Sequence, residues 1–244
     1  MLKQARKLAA QFGLHVVRRS SVPFGVNPFD DVSTLIPDLS LALDVGGNYG
    51  QTVEHLRGAF PKARIISFEP VPAIFAALER ATSHDKGVEC IQAAVGAEAG
   101  MAEMTAVEHT GHNTLNTTAR PDAPTASVPV ITLDEFCRQR DISGIDLLKI
   151  DTEGYEVPVL QGARALLGAG SIRAVLVECE FHENATEPHG DFFRISELLM
   201  PLGYRVVSFY SGGLDGNGWR WGDVLFMLPR TDPHVFCSPF AAAG

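Results

Sequence analysis

The sequence predicts an α/β domain built on a doubly wound, mostly parallel sheet of seven strands with an antiparallel C-terminal hairpin. Three observations carry that expectation. Apolar, strand-like runs alternate with stretches of helical periodicity. A glycine-rich turn follows the first run, and the last two runs are joined by SGGLDGNGWRWGD, too short and too rich in glycine for a crossover helix.

In chain order, Leu2, Ala5, Leu8, Ala9 and Phe12 recur at helical spacing and predict an amphipathic N-terminal helix. The following SSVPFGVNPFDDVSTLIPDLS, rich in Pro, Ser and Asp, reads as an irregular linker, so residues 1–40 are expected to form a helix and linker that cap the domain. Strands are expected at Leu41 to Val45, Arg64 to Phe68, Val88 to Ala94, Asp146 to Ile150, Ile172 to Glu178, Tyr204 to Tyr210 and Val224 to Leu228. Between them Val53, Leu56 and Phe60 share one helical face, as do Ile74, Phe75 and Leu78. The same holds for Val159, Leu160, Ala163, Leu166 and Leu167, and for Phe192, Ile195, Leu198 and Leu199. Pro72 suits a first helical turn, where its missing N–H removes no bond. Such crossovers are what parallel neighbours require. The stretch from Gly100 to Phe136 reads instead as short strands and polar turns. The main domain is expected over 41–230, with a tail over 231–244.

With 244 residues, 45% hydrophobic and 20% charged, the chain can bury one substantial core. A formal charge of -9, from 29 acidic and 20 basic residues, argues against a sequence-independent grip on nucleic-acid phosphates. Cysteines at 90, 137, 179 and 237 show neither CxxC nor zinc spacing, which fits buried thiols in a reduced, cytoplasmic protein. No apolar run approaches the roughly 20 residues of a membrane span, and the basic N-terminus lacks a secretory core. Neither export nor stable membrane insertion is expected, and a homo-oligomer is left open.

The run LALDVGGNYG, Leu41 to Gly50, then bears on ligand binding. Open parallel sheets bind ligands beyond the carboxyl ends of their strands, where strand order reverses, and the turn lies there if Leu41 to Val45 is the central strand. Gly46, Gly47 and Gly50 remove side chains, so that backbone N–H groups can approach a ligand. Their spacing is G-G-x-x-G and not the G-x-G-x-x-G of dinucleotide sites. Glu69 ends the second strand at about the separation where an acid meets a ribose, and its charge would repel a 2′-phosphate. Asp44, beside the turn, suits an ammonium or sulfonium and not a pyrophosphate. The two acids together select a nucleoside carrying positive charge, and S-adenosylmethionine answers that description.

LDVGGNYG, ISFEPVPAIFAAL, AAVGAEAG, VITLDEF and IDLLKIDTEGYEVPVLQGA follow one another in an order that resembles the FkbM-type S-adenosylmethionine-dependent methyltransferases, over roughly Leu41 to Ala163. That family usually has Ala where this chain has Gly47, a change expected to preserve the turn and loosen it. The resemblance implies a Rossmann-like class I methyltransferase fold in which Asp44, Gly46, Asn48 and Gly50 line the methionine end of the cofactor. Glu69 would hold the ribose, Gly47 and Pro70 would belong to the same binding set, and adenine would sit near Gln92 to Val95, where Ala93 and Ala94 leave space. Known members mostly methylate hydroxyls of sugars, polyketides and other natural products.

Methyl transfer to a hydroxyl needs an in-line acceptor whose proton is removed, or whose charge develops against a metal. Candidate groups follow two expected strands: Asp151 and Glu153 after Ile150, and Glu178, Glu180 and His182 in VECEFH. Glu178 and Glu180, two apart on an extended chain, share a face. His182 is the expected general base, and Asp151 orients it or the acceptor while also touching the cofactor. Asp151, Glu178 and His182 are the candidate set for a divalent ion. The competing readings are a helix N-cap for Asp151 and a solvated loop histidine for His182. Lys149 is expected to pair with a nearby acid, without a catalytic role. Glu153, Glu178, Glu180, His112 and Trp219 are the expected substrate contacts. Trp219 and Trp221 would form either an aromatic wall or a packed hairpin edge. The expected function is O-methylation of a small-molecule or saccharide acceptor. The rivals are an NAD-linked oxidoreductase, against which the absent G-x-G-x-x-G and Asp44 speak, and a non-catalytic binding or scaffold protein.

Overall fold

Apolar runs that alternate with helical stretches have one stable arrangement, a sheet buried on both faces, and the computed structural model of the chain has it. It describes residues 24–106, 124–181, 190–210, 212–216 and 218–229, together with 9, 11, 12, 115 and 122. The expected N-terminal helix, apart from 9, 11 and 12, and the tail over 231–244 lie outside the described residues.

The strands are β1 (Leu41–Val45), β2 (Arg64–Phe68), β3 (Val88–Ile91), β4 (Ala94–Val95), β5 (Gly100–Thr105), β6 (Thr125–Ile131), β7 (Ile145–Ile150), β8 (Ile172–Glu180), β9 (Arg205–Phe209), β10 (Gly213–Asp215) and β11 (Gly218–Met227). The helices are α1 (Pro28–Leu35), α2 (Gln51–Ala59), α3 (Pro72–Thr82), α4 (Leu133–Gln139), α5 (Glu156–Gln161), α6 (Arg164–Gly168) and α7 (Phe192–Leu199).

The main sheet runs β10-β11-β8-β7-β1-β2-β3, with β9 also on β11. All seven expected strands are in it, and the short β10 is an eighth. β3, β2, β1, β7 and β8 are mutually parallel, whereas β11 is antiparallel to β8, β9 and β10. Within the closing hairpin β9 is at the edge, while β11 enters the slot between β8 and β9, where Val224, Leu225 and Phe226 are fully buried. Alternate residues of each central strand enter opposite cores. Leu43, Ile66, Leu148, Val175 and Val177 pack on one side, with Val159, Leu160 and Ile195. Ala42, Ile65, Leu147, Ala174 and Leu176 pack on the other, with Val32, Ile36, Val53 and Leu56. Burial on both faces is why these strands read as unbroken apolar runs.

Three expectations need correction. Val88 to Ala94 is not one strand: pairing with β2 ends at Ile91, and Ala94–Val95 pairs with β6 in a separate β4-β6-β5 sheet. The helical face from Val159 to Leu167 is split between α5 and α6. Gly162 at the break lies against the Gly96 carbonyl, so close that a Cβ would fall 2.0 Å from that oxygen. The Pro- and Asp-rich linker contains α1, whose composition is that of a helix start: the Asn27 side chain accepts from the N–H groups of Phe29 and Asp30 at 2.9 and 3.1 Å, and Pro28 occupies the first turn. Asp31 Oδ2 then accepts from Gly25 N–H at 2.7 Å and from the Tyr210 hydroxyl at 2.9 Å, tying this segment to the end of β9.

Cys90, Cys137 and Cys179 are free thiols. Among the described residues no helix is long and apolar enough to cross a membrane. Replacing Asn27→Ala removes both cap bonds and is expected to cost about 1 kcal/mol, read as a lower urea midpoint at unchanged slope.

Candidate functional site

Strand order reverses at β1, which has β2 on one side and β7 on the other. A cavity of about 260 Å³ opens there, bounded by the turn after β1, the end of β2, the small sheet and the loop after β7.

The glycine turn is built by close approach. Gly46 has φ +92°, and a Cβ on it would stand 1.8 Å from the Asp151 carbonyl oxygen; one on Gly47 would stand 2.2 Å from Ser67 Oγ. The N–H groups of Gly46 and Gly47 both donate to the Phe68 carbonyl, at 3.1 and 2.8 Å, and Gly50 N–H donates to the Gly47 carbonyl. Asn48, at φ 46°, donates its N–H to Glu69 Oε2 at 3.0 Å. This corrects the expectation that the turn offers its N–H groups to a ligand. They are occupied within the protein, and the missing side chains admit neighbouring backbone and Ser67 instead. Loss of those donors also disfavours a pyrophosphate. At Gly47 an alanine would strike Ser67, so in this chain the glycine and Ser67 go together.

Asp44 is fully buried and does not line the cavity. Ser67 donates to its Oδ2 at 2.7 Å, while Oδ1 has no hydrogen-bond partner among the described residues. Burial pushes its carboxyl up to about 6, against the pull of Ser67 and Lys149. Glu69 does line the cavity, though only 6% exposed. Its Oε1 accepts from Val71 N–H at 2.9 Å, opposite the Asn48 bond, and burial outweighs both bonds to raise it to about 7. Pro70, Ala93, Ala94, Gly46, Gly47, Asn48, Asp151 and Glu153 also line the cavity; Gly50 does not, and serves as the left-handed start of α2.

The loop after β7 winds round one side chain. Glu156 is fully buried at the start of α5, and its Oε1 accepts from Thr152 N–H, Thr152 Oγ1 and Gly154 N–H at 3.0, 3.0 and 3.2 Å. Glu153 and Gly154 take left-handed φ values of 54° and 94° to permit this. Lys149, on β7, is buried between Asp151 Oδ2 and Asp223 Oδ1, each at 3.2 Å. Burial disfavours its charge, yet Asp151, Asp223 and Glu178 hold the ammonium well above the usual lysine range. Carboxylate oxygens of Asp151, Glu153 and Glu178 lie within 4.8 Å of one another. Burial, and then the charges of Asp151 and Glu153, push Glu178 up to about 9.

His182 and His112 lie outside the described residues, as does the Trp219 side chain. Glu180 ends β8 opposite Trp221, apart from the cavity lining. Sequence reasoning missed Thr152, Tyr155, Phe68, Ile74, Met104 and Leu115 in the lining, and Asp223 as a partner of Lys149. Tyr155 had a signal, since it lies within the loop that supplies Asp151. Met104 and Leu115 had none, because Met104 comes in on the small sheet and Leu115 packs against the apolar cluster there, both from elsewhere in the chain.

Gly46→Ala is expected to cost about 3 kcal/mol or more in urea unfolding, since both φ and the Asp151 carbonyl oppose a side chain. For Glu69 the folded carboxyl, at about 7, holds its proton more tightly than the ordinary 4.5 of the unfolded chain. Its contribution to stability is full below the unfolded value and is lost as pH rises through the folded one. Glu69→Gln is therefore expected to flatten the fall in stability between about pH 5 and 8 by on the order of 2 to 3 kcal/mol, measured by urea titration at each pH.

Comparison with known proteins adds a family. Residues 44–206 match the family described as Methyltransferase FkbM domain. The chain is 30% identical over 147 residues to Methyltransferase 1 of Beauveria bassiana (strain ARSEF 2860), covering 52% of this chain and 59% of that relative's length. It is 26% identical over 210 residues to Methyltransferase sdnD of Sordaria araneosa, covering 72% of this chain and 78% of that one. Among solved structures it is similar to Aeropyrum pernix fibrillarin in complex with natively bound S-adenosyl-L-methionine, with 17% identity, a TM-score of 0.47, and coverage of 78% of this chain and 66% of that one. As the family match runs through more than half of the sequence and takes in the end of β1 and all of β2, β7 and β8, the chain belongs to the FkbM methyltransferase family.

Proposed function

We propose that the protein is an S-adenosylmethionine-dependent methyltransferase that acts on a hydroxyl of a small natural product or saccharide. The observation that carries this reading is Glu69, a buried carboxylate facing a cavity whose glycine turn keeps its N–H groups for itself. A nucleoside with free ribose hydroxyls suits that carboxylate, and a phosphorylated dinucleotide does not. Asn48 Oδ1, buried without a hydrogen-bond partner among the described residues, supports a donor such as the cofactor's amino-acid end at this wall, with Asp151 beside it. Phe68, Ile74, Ala93, Ala94, Val95 and Met104 offer an apolar slot for the base.

When bound, the cofactor supplies an electrophilic methyl group on a sulfonium. The chain's own part is to orient the acceptor and take its proton. His182 is the base in this reading and follows Phe181 in the chain, while Asp151 is held in place by Lys149. A second reading, a divalent cation assisting the acceptor hydroxyl, is favoured by the spacing of Asp151, Glu153 and Glu178, with Glu153 in place of His182.

Calorimetry with S-adenosylmethionine and with NAD tests the cofactor: binding of the first alone is expected, and binding of neither favours a scaffold. Glu69→Ala is expected to weaken S-adenosylmethionine at least about tenfold. Affinity is expected to rise as pH passes upward through about 7, where Glu69 ionises, and this dependence should vanish in Glu69→Gln. In an acceptor screen that reads released S-adenosylhomocysteine, His182→Ala should abolish turnover with cofactor affinity unchanged. Turnover that disappears with chelator and returns with manganese would transfer the role to the carboxylate cluster.

A further inference from the structure

Trp221 stands out beyond the cofactor cavity. On β11 it lies opposite Glu180, as Asp223 lies opposite Glu178, and direct antiparallel partners project from the same face of a sheet. Asp223 is bonded to Lys149, and Lys149 to the cavity-lining Asp151, so one strip runs from the cavity along the ends of β7, β8 and β11 to the indole. The ring is mounted there deliberately. A Cβ on Gly213 would stand 2.3 Å from Trp221 Nε1, and one on Gly212 would stand 2.5 Å from its Cε3, so two consecutive glycines make the bed against which the indole lies. The backbone holds one side of the ring, and the side chain remains 43% exposed.

A rigid aromatic face with carboxyl groups beside it is the chemistry that receives a hydroxylated ring: the C–H or π face stacks on the indole while the hydroxyls hydrogen-bond to carboxyl oxygens. We propose that Trp221, flanked by Glu178, Glu180 and Asp223, is the platform on which the acceptor is held and is the residue that selects for a hydroxylated six-membered ring. This rests on the methyltransferase reading above and extends it from the cofactor to the acceptor. Of the two tryptophans expected to form an aromatic wall, it assigns that part to Trp221. The shared ligand chemistry has two sources, a pyranose or a hydroxylated aromatic ring.

The test is calorimetry on the full chain loaded with S-adenosylhomocysteine, titrated with methyl β-D-glucopyranoside and methyl α-L-rhamnopyranoside in one arm and catechol in the other. Binding in the first arm assigns a saccharide, and binding in the second an aromatic acceptor. Trp221→Ala is expected to weaken the bound ring at least about tenfold, with S-adenosylhomocysteine affinity within about twofold of wild type. Gly213→Ala, which displaces the indole without deleting it, should weaken the ring similarly, and Trp221→Phe should restore most of the affinity. A merely structural tryptophan would lower the melting temperature in these variants and leave ring affinity intact in the folded fraction. Unchanged ring affinity in Trp221→Ala, or no ring binding by the loaded wild type, overturns the proposal. If S-adenosylhomocysteine fails to bind while a ring still binds in a Trp221-dependent way, the platform stands and the cofactor reading falls.

Discussion

Gly46 and the carbonyl of Asp151 stand nearer to each other than any side chain on Gly46 would allow, and the site is organised round that contact. It holds β1 and β7 together for one residue beyond their strands, where Asp151 N–H still donates to the Val45 carbonyl. Only past this seam do the two chains part, one into the turn that leads to α2 and the other into the loop wound round Glu156. On the other side of β1, the Phe68 carbonyl takes two N–H groups from the turn, so the end of β2, and Glu69 with it, is carried to the same rim. Three strand ends are thus set by backbone contacts, before any side chain reaches a ligand.

The electrostatics follow from how few cations are buried there. Lys149 is the ammonium among Asp44, Asp151, Asp223 and Glu178, and it bonds directly to two of them. Removing one partner of such a buried pair leaves an uncompensated charge and is far more costly than breaking a surface pair. Burial raises Asp44, Glu69 and Glu178, and the negative neighbours that Glu178 faces raise it further. A rim of that character receives positive charge and hydroxyl donors and repels phosphate.

Much of the central sheet was legible, because strands buried on both faces leave unbroken apolar runs and the crossovers between them keep helical spacing. Legibility failed where a contact from afar overrode local pattern. Ala94 and Val95 continue an apolar run yet leave the sheet to pair with Val130 and Ile131. The helix through Val159 breaks at Gly162, where the Gly96 carbonyl occupies the space a side chain would need. In the site, Glu69, Asp151, Glu153, Ala93 and Ala94 could be found from their places just beyond strands. Asp44, expected at the methionine end of the cofactor, has its side chain on the α1 and α2 side of the sheet, where Ser67 engages it.

The sequence by itself determined where the parallel strands of the main sheet fall, that crossovers join them, and that acids and glycines gather at their carboxyl ends, since these depend on side-chain period and local backbone freedom. Tertiary structure alone decided that β11 lies between β8 and β9, that the turn's N–H groups face the protein, that Lys149 joins Asp151 to Asp223, and that Trp221 rests on Gly212 and Gly213. Those outcomes depend on how separate strands and loops are brought together, and that is set by packing of the whole sheet, of which no local stretch of sequence carries a record.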